Sequence, residues 1–315
     1  MYFDAHADIW YDVARRRLAG EKQVFRDRHL QRFRDGAVEG GVFAFWIGPP
    51  FEGAQGTRQM MACAAEELSE SRELQLVRQC AEIQEAKAAG KIYALMDAEG
   101  LAAIGSDPAG VDGYYEFGVR IASLTWNEAN ALGAGALSGC GDGLTAAGKE
   151  TVRRMERSGM LLDVSHLNEA GFWDAARLSK GPFIASHSNA RALCDVPRNL
   201  TDDQLRALRD AGGVVGLNAF CRFVDRDPER RTAERLAEHA AHMIDVAGID
   251  HVGCGFDFCE YLDPSDSERE ATRGLQDCSE IPNLFACFRR MGMSPEDQEK
   301  IARGNFLRVL RDTVG

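Results

Sequence analysis

The sequence predicts an α/β protein of the (β/α)8, or TIM, barrel class. Eight short apolar or β-branched runs recur along the 315 residues, and helix-like segments or loops separate them. No Ser- or Pro-rich linker, low-complexity tract or internal repeat divides the chain. This alternation favours a closed barrel over a doubly wound sheet with a second domain. We therefore expect a single barrel domain over residues 1–315, with a C-terminal helix.

The predicted strands are rich in aliphatic, β-branched and aromatic residues. They span residues 2–8, 41–48, 92–99, 117–126, 160–166, 182–188, 213–220 and 251–258. The predicted helices span residues 60–90, 145–159, 168–179, 201–213 and 231–248. Several of them begin after a Ser, Thr, Asp or Asn and end at a Gly, which are typical helix caps. A final helix, within SPEDQEKIARGNFLRVLRDTVG, is expected to pack against the barrel.

The charge balance excludes some classes of partner. Acidic residues outnumber basic ones, 49 to 37, which gives a formal net charge of -12. This balance argues against a nucleic acid or an anionic membrane as partner. No apolar run reaches the roughly 18 residues of a membrane span, and no signal peptide is evident at the N-terminus, so we expect a soluble, cytoplasmic protein. Nine cysteines without a CxxC pair predict small buried side chains rather than disulfides or a thiolate zinc site.

Ionisable side chains stand at the ends of five predicted strands. They are His6, Asp8, Glu99, His166, His187 and Asp257. Taken singly, such a residue is usually a structural polar group or a helix cap. In a barrel, however, the carboxyl ends of all strands meet at one mouth. Burying three imidazoles and three carboxylates there is costly unless divalent metal ions compensate them. Asp4, deeper in the first strand, is expected to be an acceptor behind the ligands or a polar group inside the barrel.

The ligand types indicate which ions such a site would prefer. Imidazole and carboxylate without thiolate suit zinc and, less specifically, manganese, cobalt or iron. One ion would take the two ligands of the first strand, a second would take His166 and His187, and Glu99 would bridge them. Two ions roughly 3.5 to 4 Å apart lower the pKa of a shared water, so that hydroxide is available at neutral pH.

Six segments carry a resemblance to a known family. They read DAHAD, DAEG, LLDVSH, FIASHSNARALCDVPRNLTDD, GIDHVGCGFDF and GNFLRVL, and they run in this order from residue 4 to about residue 310. Together they resemble the membrane (renal) dipeptidase family, the M19 metallopeptidases. The resemblance implies a (β/α)8 barrel of the metal-dependent hydrolase type with two zinc ions. Such an enzyme hydrolyses dipeptides, often including those with a C-terminal D-residue.

The resemblance also implies a role for each candidate residue. The first zinc ion would be held by His6, Asp8 and Glu99, and the second by Glu99, His166 and His187. Arg198, in the segment PRN, would bind the free carboxylate of the substrate, which suits a bidentate guanidinium. Asp257 would lie near the substrate amine and the bridging water. The metal-bridging hydroxide would attack the scissile carbonyl while Glu99 holds both ions, and Asp257 would pass a proton to the departing amine.

The sequence departs from the family pattern near the predicted mouth. Many members read Leu-Thr-His after the fourth strand, whereas this chain reads LTWNEAN and places Trp126 at the matching position. Indole can offer only one N–H donor there, so Asn127 or Asn130 is a candidate substitute in substrate binding. Packing of Trp126 at the barrel mouth is an equal alternative. Cys259 replaces a second family carboxylate, and Phe220 stands where some members have Tyr.

Three functions are compatible with these residues. The first is a zinc dipeptidase whose partner is a small dipeptide, with a homodimer in keeping with the family. The second is a binuclear metal hydrolase of another amide or ester, such as an N-acyl amino acid, a lactam or a lactone, and Trp126 is the feature that favours it. The third is a non-catalytic binding barrel, against which all five filled ligand positions argue.

Overall fold

The structure, a computed structural model, describes residues 1–262 and 271–315. Its strands are β1 Tyr2–Ala7, β2 Val38–Trp46, β3 Leu74–Leu76, β4 Ile92–Glu99, β5 Val119–Ser123, β6 Leu161–Asp163, β7 Ile184–Ala185, β8 Val214–Leu217 and β9 Val252–Cys254. All of their pairings are parallel, in the order β1-β2-β4-β5-β6-β7-β8-β9. The ninth strand, β3, lies outside this order and pairs with β4. Each of the eight strands in this order lies within a predicted strand or overlaps one. The predicted (β/α)8 barrel is therefore confirmed.

Helices surround the barrel. They are α1 Ile9–Leu18, α2 Leu30–Asp35, α3 Gly53–Glu70, α4 Ala81–Ala88, α5 Gly110–Phe117, α6 Ala146–Ser158, α7 Glu169–Leu178, α8 Asp202–Asp210, α9 Cys221–Val224, α10 Ala233–Ala247, α11 Ile281–Arg290, α12 Pro295–Glu299 and α13 Asn305–Val314. Four of them, α6, α7, α8 and α10, begin after an N-cap Thr or Asn whose side chain accepts a backbone N–H. These caps explain why the sequence located those helices well.

The prediction of one continuous helix over 60–90 was wrong. Helix α3 ends at Glu70, strand β3 follows, and α4 begins at Ala81. The Ser71 hydroxyl accepts the backbone N–H groups of Glu73 and Leu74, at 3.2 and 3.0 Å, which turns the chain out of the helix. The segment after this turn then pairs with the start of β4. A tertiary pairing has overridden the local helical pattern.

The C-terminal segment closes the floor of the barrel. Helix α13 places Phe306, Val309 and Leu310 in one buried cluster with Phe3, so this helix packs against the barrel. A side chain at Gly253 in β9 would collide with the Phe306 ring at about 2.5 Å, so glycine permits this close contact. The cysteines also follow the prediction, because all nine are free. Six of them are buried, namely Cys63, Cys194, Cys221, Cys254, Cys278 and Cys287.

A buried carboxylate joins the two ends of the sheet. Among the described residues, no strand ladder pairs β1 with β9. Instead, Asp4 Oδ1 accepts the backbone N–H of Phe256 at 2.8 Å and that of His6 at 3.3 Å. The Asp257 N–H donates to the His6 carbonyl at 3.3 Å. Burial raises the pKa of Asp4 to about 7. Asp4 thus lies inside the barrel, where it holds His6 and the segment after β9 together.

A buried histidine fixes the loop that follows β7. His239, on α10, accepts the backbone N–H of Ala190 at Nδ1 (3.2 Å) and donates from Nε2 to the Val224 carbonyl (2.8 Å). Both bonds require the neutral ring, because Nδ1 must carry a lone pair. Burial lowers the pKa of His239 to about 4. The loop held in this way carries Arg198.

We expect acidification to destabilise the protein through His239. Since its folded pKa lies below the usual 6.5, protonation favours the unfolded chain, and stability is lost as the pH falls from about 6.5 towards 4. At pH 5 this loss corresponds to about 2 kcal/mol. Urea unfolding at pH 7.5 and pH 5 should therefore show a smaller pH dependence in His239→Gln than in the wild type. The half-exposed His242→Gln is the control, and an unchanged pH dependence in His239→Gln would contradict the assignment.

Candidate metal centre

Three imidazoles converge on one carboxylate oxygen at the mouth of the barrel. Glu99 Oε1 lies 2.7 Å from His166 Nε2, 3.4 Å from His6 Nε2 and 3.5 Å from His187 Nε2. These side chains come from the carboxyl ends of β1, β4, β6 and β7, and all four are buried. The barrel thus brings together histidines that are far apart in sequence. Asp8, which follows β1, completes the set, with Oδ1 3.7 Å from His6 Nε2.

The potential ligand atoms form two overlapping groups. In the first, one ligand atom from each of His6, Glu99 and His187 lies within 4.8 Å of the others. In the second, the same holds for His6, Asp8 and Asp257. His166 adjoins the first group, because its Nε2 lies 2.9 Å from His187 Nε2. All five predicted metal ligands therefore lie around one centre.

The protein directs the free nitrogen of two imidazoles towards this centre. His166 Nδ1 lies 3.1 Å from the carbonyl oxygen Oδ1 of Asn127, and His187 Nδ1 lies 2.6 Å from Ser186 Oγ. An amide oxygen can only accept, so His166 carries its proton on Nδ1 and its lone pair on Nε2. Such a lone pair facing His187 Nε2 and the Glu99 carboxylate is repulsive unless a cation lies between them.

Electrostatics also favour a cation. Five buried carboxylates lie in and around the centre, namely Asp4, Asp8, Asp97, Glu99 and Asp163. Burial raises the pKa of Asp8 and that of Glu99 well above their usual values, and neighbouring carboxylates raise both further. Burial lowers the pKa of His6 to about 3, and it lowers the pKa values of His166 and His187, helped by the positive charge of Arg198. Neutral imidazoles beside acidic groups are a suitable ligand set for a divalent metal ion.

Unpaired polar atoms show that the ligands fit a metal. Within the described residues, neither ring nitrogen of His6 has a hydrogen-bond partner, and Asp8 Oδ1 has none either. Leaving such atoms buried and unpaired is unfavourable, and metal coordination would satisfy them. Nitrogen and carboxylate oxygen donors suit zinc, manganese, cobalt or iron. Cys259, the nearby thiol, instead donates to the Asp257 carbonyl at 3.3 Å.

Arg198 and Asp257 border the centre with opposite charges. The Arg198 side chain is buried, with Nη2 3.2 Å from His166 Nε2, and its Nε and Nη1 have no hydrogen-bond partner among the described residues. Asp257 adopts a left-handed backbone (φ +57°) and accepts a hydrogen bond from Asn218 Nδ2 at 3.0 Å. Burial raises the pKa of Asp257 to about 6, although Arg198 opposes the shift. The site therefore offers a guanidinium with two unpaired donor atoms and a carboxyl group whose pKa is raised towards neutral pH.

An aromatic wall lines another side of the mouth. Trp126 is half-buried, and its ring centroid lies 6.1 Å from that of His166 and 5.5 Å from that of Trp46. A side chain at Gly135 would meet the Trp126 carbonyl oxygen at 2.1 Å, so this glycine allows the loop to fold tightly behind the indole. Asn130 is engaged within the same loop, because Nδ2 donates to the Leu124 carbonyl at 2.8 Å. Asn127 faces His166.

Sequence reasoning missed several polar residues around the ligands. They are Asp97, Asp163, Ser186 and Asn218. Three of them are adjacent to predicted ligands or lie within the same short segments, DAEG, LLDVSH and FIASHS. Alternation along a strand could have indicated Asp97, because it precedes Glu99 by two residues and shares its face. The contacts of the others depend on strands that are distant in sequence.

A sequence profile of the membrane dipeptidase family (peptidase family M19) matches residues 1–314. The chain belongs to the membrane dipeptidase family. This membership confirms the resemblance inferred from the motifs, and it supports the prediction of a hydrolase of the metallo-dipeptidase type.

Named relatives and solved structures agree with this membership. Dipeptidase verJ of Clonostachys rogersoniana is 32% identical over 301 residues, which cover 89% of this chain and 74% of the relative. Dipeptidase tcpJ of Claviceps purpurea is 35% identical over 225 residues, covering 71% of this chain and 51% of the relative. A Rhodobacter sphaeroides metallopeptidase liganded with a phosphinate mimic of L-Ala-D-Ala has a TM-score of 0.87 and 30% identity, with 99% of both chains covered.

The chain spans about half the length of several dipeptidase relatives that it matches. A second solved structure, dipeptidase AC of family M19, has a TM-score of 0.88 and 29% identity, and it covers 100% of this chain and 99% of the other. In the part of the chain that the structure describes, no helix is long and apolar enough to cross a bilayer.

We expect metal removal to lower the thermal stability of the protein. Without cations, the buried carboxylates and imidazole lone pairs repel one another, and a ligand that binds only the folded state stabilises it by mass action. Zinc at about a hundredfold above its Kd should raise the melting midpoint by roughly 5 °C or more over that of chelator-treated protein. Differential scanning fluorimetry measures this shift.

Two variants test whether this stabilisation arises at the proposed centre. His187→Gln should lose most of the zinc-dependent shift, because it removes one imidazole ligand. His242→Gln should keep it, since His242 lies on α10 and pairs with Asp202 at 2.8 Å. Equal midpoints for zinc-loaded and chelator-treated wild-type protein would contradict the presence of a structural or catalytic metal here.

Proposed function

We propose that the protein is a binuclear metallo-dipeptidase with zinc as its metal. His6, Asp8 and Glu99 would hold one ion, and Glu99, His166 and His187 would hold the other. The observation that carries this proposal is the convergence of three imidazole Nε2 atoms on Glu99 Oε1, beside a buried arginine with unpaired donors. When bound, the metal ions would supply an activated water and Lewis-acid polarisation of the scissile carbonyl.

Arg198 would bind the free carboxylate of the substrate. Its Nε and Nη1 donors lack partners, so they are free to make the paired hydrogen bonds that a carboxylate accepts. The guanidinium stands over the Phe223 ring, 5.4 Å from its centroid, which keeps the side chain in place. Burial strengthens such a charged contact, because little water competes for it.

Asp257 would handle the proton at the departing amine. With its pKa near 6, this carboxyl group exchanges protons close to neutral pH, as a general acid–base group must. The hydrogen bond from Asn218 fixes the position of Oδ2. Asp257 and Asp8 also place negative charge where a free substrate amine can bind. A carboxylate-binding residue on one side and acidic groups on the other would select dipeptides over longer peptides.

A C-terminal D-residue would be accepted by this site. The support comes from the similar Rhodobacter sphaeroides metallopeptidase, whose ligand mimics L-Ala-D-Ala. That protein matches the present chain over nearly its full length. Carrying this preference over rests on the proposed roles of Arg198 and Asp257.

A second candidate is hydrolysis of another amide or ester, such as an N-acyl amino acid, a lactam or a lactone. The observation that favours it is the wall of Trp46 and Trp126, which places apolar rings beside the centre instead of an imidazole. A substrate without a charged amine would suit such a surface. Arg198 would still bind the carboxylate of an N-acyl amino acid.

A substrate panel separates these two candidates. Zinc-reconstituted protein should hydrolyse L,L and L,D dipeptides with a higher kcat/KM than N-acetyl amino acids, because only the former present an amine to Asp257 and Asp8. His187→Ala should lose nearly all turnover in the same assay. Faster hydrolysis of the acylated compounds would favour the second candidate, and wild-type turnover in His187→Ala would contradict the site.

Replacing Arg198 should remove the selection for a free carboxylate. We expect Arg198→Met to lower kcat/KM for a dipeptide about tenfold to a hundredfold, the value of a charged hydrogen bond. The C-terminal amide of that dipeptide should be a poor substrate for the wild type and should be affected little by the variant. The exposed Arg206→Met on α8 is the control. If Arg198→Met still prefers the free acid to the amide, its proposed role is wrong.

A further inference from the structure

The two strands that precede His166 and His187 are joined by few backbone hydrogen bonds. Strand β7 has two residues, and a single residue pair, Asp163 with Ile184, joins β6 to β7. Yet the Nε2 atoms of the two histidines must stay close enough to share a ligand set. The relative position of the two imidazoles must therefore be fixed by side-chain contacts rather than by the strand pairing.

The Asp163 carboxylate joins the two segments where strand pairing is nearly absent. Asp163 Oδ1 accepts the backbone N–H and the hydroxyl of Ser165, at 3.0 and 2.6 Å. The same oxygen accepts the backbone N–H of Ser186 at 3.0 Å, and Oδ2 accepts the Ser186 hydroxyl. Asp163 thus binds the residue that precedes each histidine, and it is fully buried.

The direction of these bonds fixes the proton on His187. Because Ser186 donates its one hydroxyl proton to Asp163, its oxygen is left to accept from His187 Nδ1 at 2.6 Å. His187 must then carry its proton on Nδ1, and its lone pair on Nε2 faces Glu99. Ser165 is different, because its oxygen accepts the backbone N–H of His187 at 3.2 Å and touches no ring nitrogen.

We propose that Asp163 and Ser186 are positioning residues that set the tautomer and orientation of His187 for metal binding. Through the serine hydroxyl, the Asp163 carboxylate increases the electron density on the His187 ring, which makes its Nε2 a stronger metal ligand than His166 Nε2. His166 Nδ1 meets only the neutral amide of Asn127. This inference deepens the proposed function and rests on it for the presence of a metal. It assigns a role to two residues outside the predicted site.

Zinc affinity tests the relay without any need for turnover. The zinc Kd of the full-length chain is measured by competition with a chelator for wild type, Ser186→Ala, Ser186→Thr and Ser165→Ala. We expect Ser186→Ala to weaken binding about tenfold to a hundredfold, as loss of such a partner typically does. Ser186→Thr should restore most of the affinity, because it keeps the hydroxyl. Ser165→Ala, the matched control on the same carboxylate, should change it far less.

A spectroscopic readout distinguishes positioning from a general loss of structure. Two-bond 1H–15N correlations on histidine-labelled protein report which ring nitrogen of His187 carries the proton, and His187→Gln assigns the signal. The proton should reside on Nδ1 in the wild type and in Ser186→Thr. In Ser186→Ala prepared without metal, the Nε2–H form should grow. Circular dichroism confirms that each variant is folded.

The possible outcomes separate this proposal from the proposed function. Wild-type zinc affinity in Ser186→Ala, or an equal loss in Ser165→Ala, overturns the relay even if dipeptides are hydrolysed. An affinity loss confined to Ser186→Ala and reversed in Ser186→Thr supports it. If that pattern holds while the wild type hydrolyses no dipeptide, the relay stands and the proposed function fails.

Discussion

The structure depends on one electrostatic constraint, which is the burial of several carboxylates and neutral imidazoles at one end of a barrel. Five buried carboxylates surround three histidines there, and Arg198 is the buried cation beside them. One guanidinium cannot balance this charge, and imidazole lone pairs that face one another add repulsion. Divalent cations would resolve both problems. The fold, the burial and the chemistry of the family are therefore consistent with a metal centre at this position.

The barrel achieves this arrangement with few backbone pairings near the site. Asp4 joins β1 to the segment after β9, where no ladder is present among the described residues, and Asp163 joins β6 to β7, where the ladder is one residue pair long. Each carboxylate therefore has two roles, because it accepts hydrogen bonds from backbone N–H groups and also helps to position a nearby histidine. At this mouth, the same two residues thus stabilise the barrel and support the candidate site.

The surroundings of the centre are chemically unequal. Arg198 and Asp257 border the centre with opposite charges, whereas Trp46 and Trp126 provide an apolar surface. Under the proposed function, the charged groups would select short substrates that carry both a free carboxylate and a free amine.

The sequence by itself predicted the barrel and the family, and it identified five candidate ligand residues that the structure brings together at one mouth. It could do so because strand ends, helix caps and short motifs are local patterns, and a barrel brings all strand ends to one mouth whatever their spacing. Only the tertiary structure decided that residues 60–90 contain a strand, because pairing with β4 overrides the local helical pattern. It also decided that Asn127 faces His166 and that Asp163 and Ser186 support His187. The contacts of Asn127 with His166 and of Asp163 with Ser186 join residues that are distant in sequence, and no local pattern encodes their proximity in space.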